Sequence, residues 1–312
     1  MIVKNNSNRD INNNMIRVLC QQYDGFHVAH FNARSLKGDK LDYVRYVFEN
    51  SPIDVIAVTE TWFESEIPDK YFEISGYNIF RNDRSGRIGG GVAIYIKENL
   101  CAKIISKSSE NSTVEFINLE IFDCTTKVFL SCVYNPNRTF SLESFFNSLS
   151  NLLIVYDFFL ICGDMNVNLL VNDSKSLLLQ NHIATAGLHV VNLSSPTRFG
   201  NNVNPSLLDV ILVSDCSSIL HYDQLSFVSD HDLIFSTLNI KLKNKKTTPT
   251  CIEYRDFRNI NYNLLFSDAL CLDWSDCFLV SDVNNKLEFF INKINCLYDL
   301  HVPLRKKSQN SN

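Results

Sequence analysis

Five apolar runs in this sequence each end on a polar residue. Val28-Ala29-His30-Phe31 leads to Asn32, and Val55-Ile56-Ala57-Val58-Thr59 leads to Glu60. Phe158-Phe159-Leu160-Ile161-Cys162-Gly163 leads to Asp164, with Asn166 two residues on. Leu207-Leu208 precedes Asp209, and Phe227-Val228-Ser229 precedes Asp230-His231. In layered α/β folds, strand ends that point the same way form one rim, so these five ends predict a single carboxylate-rich pocket. No cysteine or serine stands beside a base in any of the motifs, which favours attack by water over attack by a side chain. Taken singly, each feature has a plainer reading. Asn32 suits a turn, Glu60 a surface strand end, Gly163-Asp164 a turn and His231 a buried or surface histidine. Asp209 is sharper, because a carboxylate next to Val210-Ile211-Leu212 is costly unless something pairs with it.

The elements that must carry these residues are mostly short strands. β-type runs cover Val28 to Phe31, Val55 to Thr59, Tyr77 to Phe80, Gly91 to Ile96 and Val114 to Ile121. Others cover Lys127 to Tyr134, Phe158 to Cys162, Leu208 to Val213 and Leu233 to Ile240. Runs apolar throughout, such as Phe158 to Cys162, suit strands buried on both faces. One amphipathic helix is predicted around Leu41, Val44, Val47 and Phe48, stopping before Ser51-Pro52. A second begins at Leu142, with Phe145, Phe146, Leu149, Leu152 and Leu153 on one face, and a third spans about Ser176 to Ala186 before Gly187. Many strands with few helices predict two packed sheets flanked by helices. Residues 1–26, rich in asparagine, read as a disordered leader, too polar for a secretory signal. A basic stretch at 242–249, ending on Pro249, reads as a linker. Beyond it, Val283, Leu287, Phe290, Ile291, Ile294 and Leu297 recur at helical spacing, so 250–312 is expected to be a small helical appendage.

The chain has 312 residues and a net charge of −5. That balance speaks against a tight, non-specific nucleic-acid binder but not against a nuclease, where a cation supplies positive charge locally. No apolar run approaches the roughly 20 residues of a membrane span. None of the ten cysteines forms a pair with the two-residue gap of a zinc knuckle. Several, such as Cys132 and Cys162, sit in apolar runs and read as small buried hydrophobes of a reducing, intracellular compartment.

Read in order, the motifs resemble a known family. They are Asn32-Ala33-Arg34-Ser35-Leu36, Thr59-Glu60-Thr61-Trp62, Gly89-Gly90-Gly91-Val92-Ala93, Tyr134-Asn135-Pro136-Asn137 and Gly163-Asp164-Met165-Asn166. Ser195-Pro196-Thr197-Arg198-Phe199, Leu208-Asp209 and Ser229-Asp230-His231 follow. Together they resemble the DNase I-like (endonuclease/exonuclease/phosphatase) superfamily, and within it the endonuclease of jockey-like non-LTR retrotransposons. The match covers about 27–241. The tail, with Tyr254-Arg255-Asp256-Phe257 and Pro303-Leu304-Arg305-Lys306-Lys307, resembles the segment joining such an endonuclease to a reverse transcriptase. With no polymerase after it, the resemblance implies a separated or truncated element protein.

The resemblance implies a four-layer α/β/β/α sandwich and a set of roles. Glu60 would be the main Mg²⁺ ligand, with Asn32 and Asp230 nearby; such hard oxygen ligands suit Mg²⁺ or Mn²⁺. Asp164 would position or deprotonate the attacking water, and Asn166 would hold the phosphate. His231 would stabilise charge on the scissile phosphate, and Asp209 would fix its tautomer. Tyr134 and Asn137 would bind the phosphate or its leaving oxygen. Arg81, Arg84 and Arg87 read as a basic lip for the DNA backbone or as a solvated hairpin. Thr197 and Arg198, before the loop Gly200-Asn201-Asn202-Val203-Asn204, would meet the minor groove. Tyr134-Asn135-Pro136-Asn137 replaces the Tyr-Arg-Pro-Pro usual in these elements and is nearer the Tyr-x-Pro-Asn of apurinic-site endonucleases. Met165 stands where phenylalanine is usual. The expected partners are duplex DNA and a reverse transcriptase of the same element, in the nucleus. The rival readings are a phosphatase or phosphodiesterase of the same fold acting on inositol phosphates or lipids, and a catalytically silent remnant that binds DNA or protein.

Overall fold

A computed structural model of the chain describes residues 14–18, 20–136, 142–149, 152, 155–191, 194–200, 204–245 and 250–309. These fall into two compact units, Met1–Lys245 and Lys246–Asn312.

The first unit is built on two six-stranded sheets. One has the order β11-β12-β1-β2-β4-β3, the other β5-β6-β7-β8-β10-β9. In the first sheet the strands are β1 (Phe26–Asn32), β2 (Val55–Thr59), β3 (Tyr77–Asn82), β4 (Val92–Lys97), β11 (Ile219–Ser226) and β12 (Asp232–Leu238). The second holds β5 (Cys101–Lys107), β6 (Glu115–Phe122), β7 (Lys127–Tyr134), β8 (Phe158–Asp164), β9 (His189–Val190) and β10 (Asp209–Val213). Each sheet has one parallel pair at its centre, β1 with β2 and β7 with β8; the other pairings are antiparallel. A parallel pair needs a crossover, and each crossover carries a helix, Asp39–Phe48 in one and Leu142–Leu149 in the other.

Alternation along the strands sorts the side chains into layers. Val28, Val55, Ala57, Val128, Leu130, Cys132, Leu160, Cys162 and Ile211 meet between the sheets. Ala29, Phe31, Ile56 and Val58 point the other way, onto Leu41, Val44, Val47 and Phe48 of the first helix. Phe129, Phe159, Ile161, Val210 and Leu212 point outward from the second sheet onto Phe145, Phe146, Leu149, Leu179 and Ile183. The last two belong to the helix Ser174–Thr185, which Asp173 caps by accepting from the Ser176 N–H. Helix, sheet, sheet, helix is the expected four-layer sandwich.

Sequence reading and structure part at several points. Of the expected disordered leader, the described residues 14–18 and 20–22 are helical, and Ile16 and Cys20 are buried in the first core cluster. Edge strands β5 and β11 fall outside the runs read from the sequence. Cysteines are not uniformly buried, since Cys124, Cys216, Cys271 and Cys296 are exposed. Residues of the expected linker are tied to the first unit, the Lys243 N–H donating to Asp123 at 2.7 Å and the Lys245 N–H to the Asn99 carbonyl at 2.7 Å.

The second unit contains the helices Tyr262–Leu270, Ser275–Leu279 and Val283–His301. It also contains an antiparallel ribbon of β13 (Thr250–Arg255) and β14 (Leu304–Gln309), which the helical reading does not include. Among the described residues no helix is long and apolar enough to cross a membrane.

Candidate active site

Strand register brings the polar strand ends together. At the end of the first parallel pair, Asn32 lies opposite Thr59, the residue before Glu60. At the end of the second, Tyr134 lies opposite Asp164. Asp164 in turn faces Asp209, the first residue of β10. Counting by twos from the inter-sheet core, Val28 leads to His30 and Asn32, Leu160 and Cys162 to Asp164, Cys132 to Tyr134, and Ile211 back to Asp209. The site is therefore the polar end of the core between the sheets. Backbones are close here: a Cβ on Gly163 would lie 2.0 Å from the Val133 carbonyl oxygen, so only glycine fits before Asp164.

Asn32 links two of the acids. Its Nδ2 donates to Glu60 Oε1 at 2.9 Å and to Asp164 Oδ2 at 2.8 Å. Glu60 Oε1 also accepts from the Tyr134 hydroxyl at 2.9 Å, while Oε2 is approached by Trp62 Nε1 at 3.4 Å. Asp164 Oδ1 accepts from the Asn166 N–H at 2.8 Å, and Asn166 Nδ2 donates to the Asn135 carbonyl at 2.9 Å. Asn135 is itself buried, its carboxamide donating to the Met165 carbonyl at 2.9 Å. It thus ties the ends of β7 and β8 together.

On the other side of Asp164, His231 Nδ1 and Asp209 Oδ2 are 2.7 Å apart. The Thr197 hydroxyl donates to the same oxygen at 2.7 Å, and His30 Nε2 lies 3.3 Å from Oδ1. Bonding Nδ1 to a carboxylate fixes the His231 tautomer and leaves Nε2 for another partner. Burial pushes the Asp209 carboxyl up, but the charge and hydrogen bond of His231 outweigh it and hold Asp209 well below the usual carboxylate range. Burial would lower His231; the Asp209 charge and hydrogen bond, helped by Asp164, raise it to about 9. Asp164 is raised to about 7, chiefly by burial and then by the neighbouring Asp209 charge. A carboxyl poised near neutrality can accept a proton from water.

The turns that present these groups are held in unusual backbone conformations. Among the described residues, the non-glycine positions with positive φ are Arg34, Ser35, Asn50, Glu60, Trp62 and Asn166, and all but Asn50 surround the site. Neighbouring backbone holds the Glu60 turn on both sides. Ser35 N–H donates to the Glu60 carbonyl at 2.9 Å and Leu36 N–H to that of Thr61 at 2.8 Å. Trp62 N–H donates to the Gly90 carbonyl at 2.9 Å.

The remaining residues picked from the sequence fall elsewhere. Asp230 is engaged by two arginines: Arg34 Nη1 donates to both its oxygens at 2.9 Å and Arg198 Nε to Oδ2 at 3.1 Å. Thr197 is fully buried against Asp209 and offers nothing to a DNA groove. Arg81 is bound by Asp69, Asp83 and the carbonyls of Glu64 and Ile67, so its place is inside the β3 end of the fold. Arg84 pairs with Glu115 and lies over the Tyr134 ring, 5.8 Å from its centroid. Asn137 lies outside the described residues. Sequence reading missed His30, Arg34, Trp62 and Glu115. His30 had one signal, a titratable residue on an otherwise apolar inward face.

Two places could receive a cation. Ligand atoms of Asp164, Asp209 and His231 lie within 4.8 Å of one another. There, however, the Asp209–His231 bond already uses both partners. Glu60, one of whose oxygens meets, among the described residues, only a long Trp62 contact, and which has Asn32 and Asp164 beside it, fits a hard divalent ion better.

Comparison with known proteins agrees with this architecture. The AP endonuclease of Leishmania major superposes with a TM-score of 0.57 at 13% identity, over 71% of this chain and 90% of that one. The endonuclease domain of TRAS1, a telomere-specific non-LTR retrotransposon, gives 0.53 at 15% identity, over 69% and 99%. The Neisseria 3′ phosphatase NExo, bound to product DNA hairpin, gives 0.51 at 12%, over 69% and 100%. At these identities the likeness is one of fold. A search among curated proteins finds no match. The sequence model of the Endonuclease/Exonuclease/phosphatase family matches residues 29–231, and the chain belongs to that family.

Proposed function

We propose that this protein is a divalent-metal-dependent endonuclease that hydrolyses phosphodiester bonds and nicks duplex DNA. One observation carries the reading: a single carboxamide, Asn32, joins Glu60 to Asp164, while Asp164 stands beside a buried Asp209–His231 pair. Enzymes of this family are hydrolases that typically use divalent metals. Glu60, which the Asn32 carboxamide holds beside Asp164, would hold Mg²⁺ or Mn²⁺, whose charge would make phosphorus easier to attack. Asp164 aligns the attacking water and takes its proton. The Nε2 side of His231 faces the phosphate and stabilises the charge that develops there, with Asp209 orienting the ring. The Tyr134 hydroxyl holds Glu60 and lies within reach of the phosphate, and the Asn166 turn shapes the wall beside it.

The motifs running from Asn32-Ala33-Arg34-Ser35-Leu36 to Ser229-Asp230-His231 support a narrower assignment, nicking of target DNA for non-LTR element insertion. That reaction belongs in the nucleus, with a reverse transcriptase of the same element as partner. The fold shared with the TRAS1 endonuclease domain is in keeping with it. The test is incubation with supercoiled plasmid and Mg²⁺, with and without EDTA, beside phosphate release from an inositol phosphate. Nicking that EDTA abolishes is expected. Equal cleavage in EDTA removes the metal, and phosphate release without nicking replaces the nuclease with a phosphatase.

A further inference from the structure

His30 is fully buried on the inter-sheet face of β1, between Val28 and Asn32. An imidazole in such a place is costly unless its nitrogens meet partners. Each faces an acceptor. Nδ1 lies 3.1 Å from the Ala57 carbonyl oxygen, across the parallel pair β1–β2. Nε2 lies 3.3 Å from Asp209 Oδ1. Ala57 belongs to the first sheet and Asp209 to the second, so the ring is a strap from one sheet to the other. A carbonyl oxygen and a carboxylate oxygen both accept, so each contact is made when the ring nitrogen facing it carries a proton.

The two histidines divide the Asp209 carboxylate between them. His231 and Thr197 take Oδ2, and His30 takes Oδ1. A carboxylate held at one oxygen can still turn about its Cβ–Cγ bond and carry its partner with it. Held at both, its plane is fixed, and so is the ring bonded to it. We propose that His30 is a positioning residue, which pins Asp209 from the first sheet and so sets the orientation of His231. It acts through Asp209 and touches neither water nor phosphate. The consequence for catalysis rests on the reading of His231 as the group facing the phosphate.

The full chain carrying His30→Leu or His30→Gln tests this in two ways. The first needs no activity. The His231 Nδ1 proton, identified by its loss in His231→Gln, gives an NMR resonance shifted far downfield by its bond to Asp209. In His30→Leu, with the fold checked by circular dichroism, that resonance shifts or broadens. His30→Gln keeps one donor toward Asp209 and falls between the two. The second way is the nicking assay. kcat falls about tenfold in His30→Leu with KM within about twofold, as for a group felt only in the transition state. The same change adds little on top of Asp209→Asn, because Asp209 is the residue it acts through.

An unmoved His231 resonance in folded His30→Leu overturns the proposal whatever the protein hydrolyses, and so does full additivity with Asp209→Asn. If His30→Leu does not fold, His30→Asn decides, since its shorter side chain withdraws the donor from Asp209 and an unmoved His231 resonance there overturns the proposal. A wild-type protein that fails to nick DNA removes the nuclease reading, and the resonance still decides the role of His30.

Discussion

Asp209 and Glu60 are both carboxylates set at strand ends of the same pocket, yet their oxygens meet different surroundings. Asp209 is closed in by two imidazoles and a hydroxyl, with no exposure to solvent. Glu60 is half-buried; an amide and a phenol hold one oxygen, and among the described residues the other meets only a distant indole N–H. A carboxylate saturated by donors on both sides orients its partners. One with an open oxygen can take a cation. Asp230, which the sequence groups with Glu60, behaves like neither, because two guanidinium groups cover it at the rim.

The largest effects belong to the residues between these two ends. Asp164→Asn and His231→Gln should each slow nicking at least about a hundredfold, the scale of a lost proton acceptor or charge-stabilising donor. Near wild-type rates in either variant would falsify the site as assigned. Glu60→Gln should raise the Mg²⁺ concentration for half-maximal rate by at least about tenfold, with part of the rate recovered by Mn²⁺. Asp230→Asn should leave that concentration nearly unchanged. If the two titrations move together, the contrast between an open and a covered carboxylate fails. Asp209→Asn should slow nicking through His231, so Asp209→Asn with His231→Ala should be much less than additive.

How much of this could be read beforehand depends on whether a residue's partner is near it in sequence. Runs such as Val55 to Val58 and Phe158 to Cys162 announce central strands, because burial on both faces leaves no charged or strongly polar position. β5 and β11 lie at sheet edges, where Lys103, Ser106 and Lys107, or His221, Asp223 and Gln224, blur any pattern. The N-terminal helix hides its core contacts, Ile16 and Cys20, in a polar stretch that suggests disorder. Motif order located Glu60, Asp164, Asp209 and His231, since each follows or opens a recognisable strand. The arginines were misplaced for the opposite reason. Arg84 looks exposed on a glycine-rich hairpin until Glu115, 31 residues away, is seen beside it. Thr197 looks like a loop residue until Asp209 appears under its hydroxyl.

Removing residues 246–312 should have a smaller effect. Among the described residues, the three buried clusters of the first unit and the side chains packed on them are drawn from positions up to Leu242. Among the described residues of the second unit only Leu297 and Val302 are buried hydrophobics, and Phe278, Leu279, Leu270 and Val283 are among the exposed ones. A chain ending at Lys245 should fold, stay soluble and nick plasmid at a rate close to that of the full protein. An insoluble product would mean that the first unit does not fold without the residues after 245.

The subtlest expected effect is on stability. Asp164 is raised from 3.8 to about 7, first by burial and then by Asp209, and His231 from 6.5 to about 9, with the Asp209 charge overcoming burial. In both cases the folded state holds its proton more tightly than the unfolded chain does. Stability must therefore fall as pH rises through each window, from about 4 to 7 for Asp164 and from about 6.5 to 9 for His231. The ion pair of His231 with Asp209 contributes fully below the lower limit of its window and is lost as pH passes the upper one. Measured in EDTA, the melting temperature of the wild type should exceed that of His231→Gln most at pH 6, and the gap should close by about pH 9.5. Asp164→Asn should instead flatten the slope below pH 7 and leave the upper one in place. A gap that stays constant from pH 6 to 9.5 would show that His231 is neutral in the folded protein, and Asp209 would then orient it by a hydrogen bond without a charge.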